Sequence, residues 1–200
     1  AAARVFVQAA KGLAAAHDAG IVHRDVKPAN LFLHELPSGE IVTKVCDFGV
    51  AKSVVAAGGD ATTLDLTRTG GMLGSPMYMS PEQARNAKQV DARTDVWSLC
   101  LSLYEALTGQ KPWASCTTMG ELILAICTTE VAPLQSLAPW VSPELATVVH
   151  RGLQRNAGER WASMTELASA LEPLAARGPA TRTSLCALTI EARASVAPRA

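Results

Sequence analysis

His23-Arg24-Asp25-Val26-Lys27-Pro28-Ala29-Asn30, followed after a short interval by Asp47-Phe48-Gly49, is the stretch on which the reading of this chain turns. The first cluster gathers an acid, two cations, an imidazole and an amide into one loop. Upstream of it, Val5, Phe6, Ala9, Ala10, Leu13 and Ala16 recur at helical spacing between Arg4 and Asp18, and Gly20 is placed to end that helix in a left-handed cap. Downstream, Leu31 to Leu33 and Ile41 to Cys46 read as two short strands around the turn Pro37-Ser38-Gly39. The two polar clusters are therefore expected on either side of a small two-stranded ribbon.

From Gly49 to Pro81 the sequence is polar, rich in Gly and Thr, and without clear periodicity. A loop of that length in a compact domain is usually functional or mobile. The pattern beyond it is helical. Asp95 to Leu107 is apolar on nearly all sides, which predicts a helix sunk in a core and stopped at Gly109. Met119 to Thr128 predicts another helix. Ser142-Pro143-Glu144 combines an N-cap, a proline at the first helical position and an early acid, and predicts a helix through Leu153. A last helix is expected from Glu159 or Trp161 to Leu174, and Arg177 onward reads as a flexible tail.

Bulk composition narrows the function classes. The chain has 200 residues, 48% hydrophobic, with 18 basic and 18 acidic side chains, enough for one globular domain with a substantial core. Balanced charge and the lack of a Lys/Arg-rich block exclude the concentrated positive field of a nucleic-acid binder or a polybasic membrane anchor. Cys46, Cys100, Cys116, Cys127 and Cys186 form no C-x-x-C pair and suggest free thiols in a reducing compartment. No stretch approaches the roughly 20 apolar residues of a membrane span, and the start lacks the pattern of a signal peptide.

In order and context, the two clusters resemble the catalytic loop and the metal-binding triplet of protein kinases. Gly74-Ser75-Pro76-Met77-Tyr78-Met79-Ser80-Pro81-Glu82 resembles the end of the kinase activation segment, with Ser75 as the small hydroxyl residue that contacts the catalytic loop. The resemblance implies an α+β fold: the mainly helical kinase C-lobe with a small β-ribbon at the catalytic cleft, over residues 1–175, with 176–200 as tail or linker. It implies phosphoryl transfer from ATP with Mg²⁺, which needs an aligned hydroxyl and neutralised phosphate charge more than covalent help. Asp25 would orient the acceptor and take its proton, Lys27 would reach the transferring phosphate, and Asn30 and Asp47 would hold the metal. Lys27 followed by Pro28 is the form this loop takes in serine/threonine kinases, so the implied substrates are Ser and Thr hydroxyls of proteins. Glu82 would pair with Arg160, Asp95 would cap the backbone of the catalytic loop, and His23 would pack and bond backbone without catalysing.

Regulation follows from Arg24, a cation directly before Asp25 that phosphothreonine in the long loop would complement. Thr69 is the first choice by its distance from Ser75 and Thr67 the second; autophosphorylation would run through a homodimer. Ser80 stands where Ala is commoner in the family, a small-for-small exchange. Cys46 is expected to be a buried, inert thiol, His17, His34 and His150 surface or capping residues, and Trp113, Trp140 and Trp161 core anchors. The sequence contains no Gly-rich phosphate loop and no V-A-I-K lysine, which suggests truncation of a longer, bacterial-type kinase, cytoplasmic with an optional membrane tether elsewhere, and inactivity of residues 1–200 alone. Two other readings stay in view. A binding scaffold would not need Asp25, Lys27, Asn30 and Asp47 together, and a small-molecule phosphotransferase would not need the segment Gly74 to Glu82.

Overall fold

The computed structural model describes residues 2–48, 76–86, 90–175, 178 and 180–181. Helix α1 (Ala2–Asp18) leads into the polar loop, which makes a 3₁₀ turn at Pro28–Asn30 and enters the antiparallel ribbon of β1 (Leu31–Glu35) and β2 (Ile41–Val45), in register Leu31 with Val45 through Glu35 with Ile41. Short α2 (Pro81–Arg85) precedes the central α3 (Arg93–Thr108). Then come α4 (Met119–Thr128), α5 (Leu134–Leu137), α6 (Pro143–Gly152) and α7 (Met164–Leu171), with 3₁₀ turns at Ala157–Glu159 and Glu172–Leu174. Among the described residues the architecture is mostly helical with one two-stranded sheet, as the sequence pattern predicts.

Helix α3 is the axis of the core. Leu99, Leu101, Leu103, Trp97 and Tyr104 are all fully buried, each such side chain contributing about 1.5–3 kcal/mol of apolar burial. Its hydroxyl residues Ser98, Ser102 and Thr108 are buried as well, and each hydroxyl is hydrogen-bonded. Ser98 Oγ donates to the Tyr78 carbonyl, Ser102 Oγ to the Ser98 carbonyl and Thr108 Oγ1 to the Tyr104 carbonyl, so a helix sunk on every side incurs no orphaned hydroxyl. Gly109 ends it at φ 72°, the left-handed cap expected of it. Helix α1 packs on α7, β2 and α3, through a face of Phe6, Ala9, Ala10 and Leu13.

Differences from the sequence expectation lie at ends and short elements. The last helix is shorter than expected because Ser163 caps its start by accepting from Glu166 N, and the residues before it form a 3₁₀ turn instead. Helices α2 and α5, four or five residues long, carry too little periodicity to be read in advance. Strand β2 stops at Val45, so Cys46 stands exposed beyond it; the buried thiol expected there is corrected, since the chain is already turning toward the left-handed Asp47. Of the presumed tail, Ala180 is buried and its carbonyl accepts from Ile41 N at 2.7 Å.

Helices α3 and α6 meet at a glycine. A Cβ added to Gly152 would overlap Cys100 Sγ and lie 2.9 Å from Cys100 Cβ. Cys100 is a fully buried thiol whose pKa burial pushes up to about 12, an inert filler with no room to yield. Gly152→Ala is expected to lower stability by about 1–3 kcal/mol through overpacking. Adding Cys100→Ala removes the overlapping sulfur and should recover part of that loss; additive denaturation losses in the double variant would refute the contact.

Candidate active site

The loop after α1 is held by a carboxylate at the start of α3. Asp95 is fully buried, and it accepts His23 N and Arg24 N at 2.8 Å each, one on either oxygen. His17 Nε2 lies 2.8 Å from the same Oδ2. Asp95 thus bonds the backbone of the loop before Asp25. His17, expected as a surface or capping residue, is the third partner of this carboxylate. Its place near the end of α1, where the helix runs under α3, hides it from any periodicity argument.

His23 joins the two polar clusters. Its Nε2 lies 3.0 Å from the Cys46 carbonyl and its Nδ1 accepts from Asp25 N at 3.3 Å. A carbonyl can only accept and an amide can only donate, so the neutral imidazole carries its proton on Nε2. Its ring also packs against Phe48, centroids 4.6 Å apart and planes tilted by 41°. One buried side chain thereby ties the backbone of Asp25 to that of Cys46, the residue next to Asp47. Both Arg24 (φ 63°) and Asp47 (φ 56°) adopt left-handed backbone, a conformation that costs a non-glycine residue about 1–3 kcal/mol and persists where surroundings impose it.

Around Asp25 the remaining polar groups converge. Lys27 Nζ donates to Asp25 Oδ2 at 2.9 Å, both side chains being mostly buried. Asn30 is buried and donates its Nδ2 to the Asp25 carbonyl at 2.9 Å. That bond fixes which end of the amide faces inward and leaves the oxygen as its acceptor end. Asp47 is exposed at the mouth of the ribbon. Phe32 and Leu33, apolar and exposed on β1 immediately after Asn30, were not singled out by the sequence. Their signal would have been an alternating strand carrying large apolar residues on both faces.

Among the described residues no group of three or more His, Cys, Asp or Glu gathers as a self-sufficient metal site. Asp47 and Asn30 are two hard oxygen donors, the set that suits Mg²⁺ sharing its shell with phosphates and water. The guanidinium of Arg24 makes no ion pair among the described residues. Thr67, Thr69 and Ser75 lie outside the described residues. Two concavities lie along α6, near Gln135, His150, Arg151 and Gln154, and none of these cleft residues lines them.

The segment facing the loop is pinned from below. Arg160, 2% exposed, donates Nη1 and Nη2 to the two oxygens of Glu82 at 2.7 and 2.8 Å, and its other hydrogens reach the carbonyls of Gln154, Arg93 and Arg155. Tyr78 donates to Glu105 at 2.5 Å. Ser80 does more than fill space: its Oγ meets Thr94 Oγ1 at 2.7 Å and accepts from Gln83 N to cap α2. The small-for-small reading of Ser80 is corrected accordingly. His150 Nε2 accepts from Leu134 N, the capping role expected of it, and burial holds its pKa below the ordinary value.

Burial alone would raise the Glu82 pKa, but the hydrogen bonds and charge of Arg160 outweigh it and hold the carboxyl below its ordinary value. A carboxyl depressed in the folded state stabilises above its unfolded pKa, and that contribution disappears as pH falls through the folded value. The stability advantage of the parent over Glu82→Gln, read from urea unfolding, should therefore be largest near about pH 6 and shrink toward about pH 3. An advantage independent of pH would show that the pair contributes no charge interaction.

The family model described as "Protein kinase domain" matches residues 1–171. The chain is 36% identical over 163 residues to the "Serine/threonine-protein kinase PknB" of Mycolicibacterium smegmatis, covering 82% of this chain and 24% of that protein. It is 36% identical over 168 residues to the "Serine/threonine-protein kinase PknL" of Mycobacterium tuberculosis, covering 82% and 38%. It is 37% identical over 177 residues to the "Tyrosine-protein kinase MasK" of Myxococcus xanthus, covering 84% and 25%. The chain thus spans well under half the length of these relatives.

Proposed function

This chain belongs to the protein kinase family, and from that membership we propose that it is the catalytic lobe of a bacterial serine/threonine protein kinase, with residues 176–200 as the stretch that follows the lobe. The observation that carries the proposal is the convergence of Lys27 and Asn30 on Asp25, with Asp47 tied to the same loop through His23. Bound Mg-ATP supplies the transferable γ-phosphoryl group. Asp25 orients the acceptor hydroxyl and takes its proton. Lys27 stands beside that carboxylate, where its compact charge meets the transferring phosphate. Asp47 and the Asn30 amide oxygen offer the metal its protein ligands, and exposed Phe32 and Leu33 give the nucleotide an apolar floor.

The Lys27-Pro28 form supports Ser and Thr acceptors. One relative bears the name of a tyrosine kinase, so matched Ser, Thr and Tyr peptides belong in the assay. Retention of all four polar residues counts against a non-catalytic scaffold, and the pinned segment Pro76 to Glu82 counts against a small-molecule phosphotransferase. Among the described residues no helix is long and apolar enough to cross a membrane, and a cytoplasmic working place is part of the proposal. Residues 1–200 contain no Gly-rich phosphate loop and no V-A-I-K lysine, so alone they offer Mg-ATP only an open face, where water screens the contacts.

In the full-length protein Asp25→Asn should leave nucleotide binding intact and lower phosphoryl transfer by roughly 10² to 10⁴. Asp47→Ala should instead weaken Mg²⁺-dependent ATP binding, and residues 1–200 by themselves should show no transfer to a generic basic protein. Parental turnover by Asp25→Asn in a radiolabelled-phosphate assay would remove Asp25 from its role.

Arg24 is assigned as the receiver of a loop phosphate, on Thr69 first and Thr67 second, with Ser75 contacting the catalytic loop. If Arg24 and Thr69 act as one unit, Thr69→Ala and Arg24→Ala should lower activity alike and the double variant should be little worse than either. Strictly additive losses in that cycle would separate them.

A further inference from the structure

The left-handed Arg24 backbone is gripped from two sides, and one of the hands is a residue to which neither the sequence pattern nor the proposed chemistry gives a task. Its N–H is taken by Asp95. Its carbonyl accepts from Gln83 Nε2 at 2.9 Å, across 59 residues of sequence. Gln83 is the third residue of α2, and its Oε1 accepts Ser80 N at 3.1 Å to complete the capping box with Ser80. The orientation of the amide is set by its partners, since Arg24 O can only accept and Ser80 N can only donate. Capping needs only the oxygen of this side chain, and a glutamate would serve as well there. The nitrogen is therefore surplus to the helix.

Resting on the reading of Asp25 as the catalytic base, we propose that Gln83 is a positioning residue for Asp25, clamping the peptide unit that carries it. The Arg24 carbonyl and the Asp25 N–H belong to one planar group. Gln83 holds its oxygen edge at 2.9 Å and His23 Nδ1 holds its nitrogen edge at 3.3 Å. With both edges bonded, that plane cannot rotate, and rotation is what would swing the Asp25 carboxylate away from the acceptor. Because Gln83 sits on the helix that follows Pro76–Tyr78, and Ser80 is tied to Thr94 at the head of α3, the amide also links the proposed peptide-docking segment to the base. Seating of the segment and aim of the carboxylate become one event.

The test separates the two ends of the amide. Gln83→Glu keeps the capping oxygen and loses the donor; Gln83→Ala loses both. In the full-length kinase, Gln83→Glu should keep the parental melting temperature and the KM for ATP while kcat falls about ten- to a hundredfold, the scale of a small misplacement of a reacting group. Gln83→Ala should show the same loss of kcat together with a lower melting temperature. Asp25→Asn is run alongside, and all kinetics are taken below the melting range of the least stable variant. Parental kcat in Gln83→Glu with an inactive Asp25→Asn would overturn the role of Gln83 alone, as would a loss that appears only in KM for ATP. An active Asp25→Asn would overturn the reading beneath it.

Discussion

A single carboxylate in the protein interior sets the geometry on which the rest depends. Asp95 has no contact with water, and an ionised side chain there is tolerable only if both of its oxygens find donors. The backbone of His23 and Arg24 and the ring of His17 supply those donors. The arrangement is reciprocal: the acid needs the loop in order to stay buried, and the loop needs the acid in order to hold Arg24 in a left-handed conformation. Helix α3, the most buried of the described helices, is thereby the datum from which the loop around Asp25 is measured. Rigid elements place reacting groups more accurately than loops do, and here a loop borrows the rigidity of a helix through two hydrogen bonds.

The same logic explains how groups far apart in the chain come to one place. His23 spans from Asp25 N to the carbonyl before Asp47, so the two carboxylates assigned to base and metal are separated by one imidazole instead of by the full ribbon. On the other side, Arg160 spends its hydrogens on Glu82 and on three carbonyls. Removing one partner of a pair whose arginine is buried leaves an uncompensated charge inside, and so is more damaging than the pair is stabilising. That asymmetry suits a part whose task is to fix position.

Much of this was legible in the sequence, and the boundary between what was and was not has a physical basis. Helices α1, α3, α4 and α6 announce themselves through periodic apolar residues and through caps such as Gly109 and Ser142, which are local signals. The clusters around Asp25 and Asp47 stood out because an acid, a lysine, an amide and a second acid at that spacing are the residue types that phosphoryl transfer calls for. What escaped was long-range pairing with no local signature. His17 reads as one more polar residue near a helix end until α3 is laid against it. Ser80 reads as a small residue until Thr94 is seen beside it, and Gln83 as helix surface until the Arg24 carbonyl arrives. Cys46 was misplaced for the opposite reason, because an apolar run continued on paper one residue beyond the point where the strand stops.

The hydrogen bond between Ile41 N and the Ala180 carbonyl has a bearing on how the lobe connects to anything else. The outer edge of β2 would otherwise present unpaired amides of the kind that recruit foreign strands; Gln8 Oε1 covers Thr43 N and the returning chain covers Ile41 N. The family match ends at residue 171, yet the polypeptide has by Ala180 travelled from the base of α7 back to the strand that delivers Asp47. The chain at Ala180 is thus fastened to the ribbon, and a mechanical load applied at that point would be felt first at the ribbon and only afterwards in the helical core.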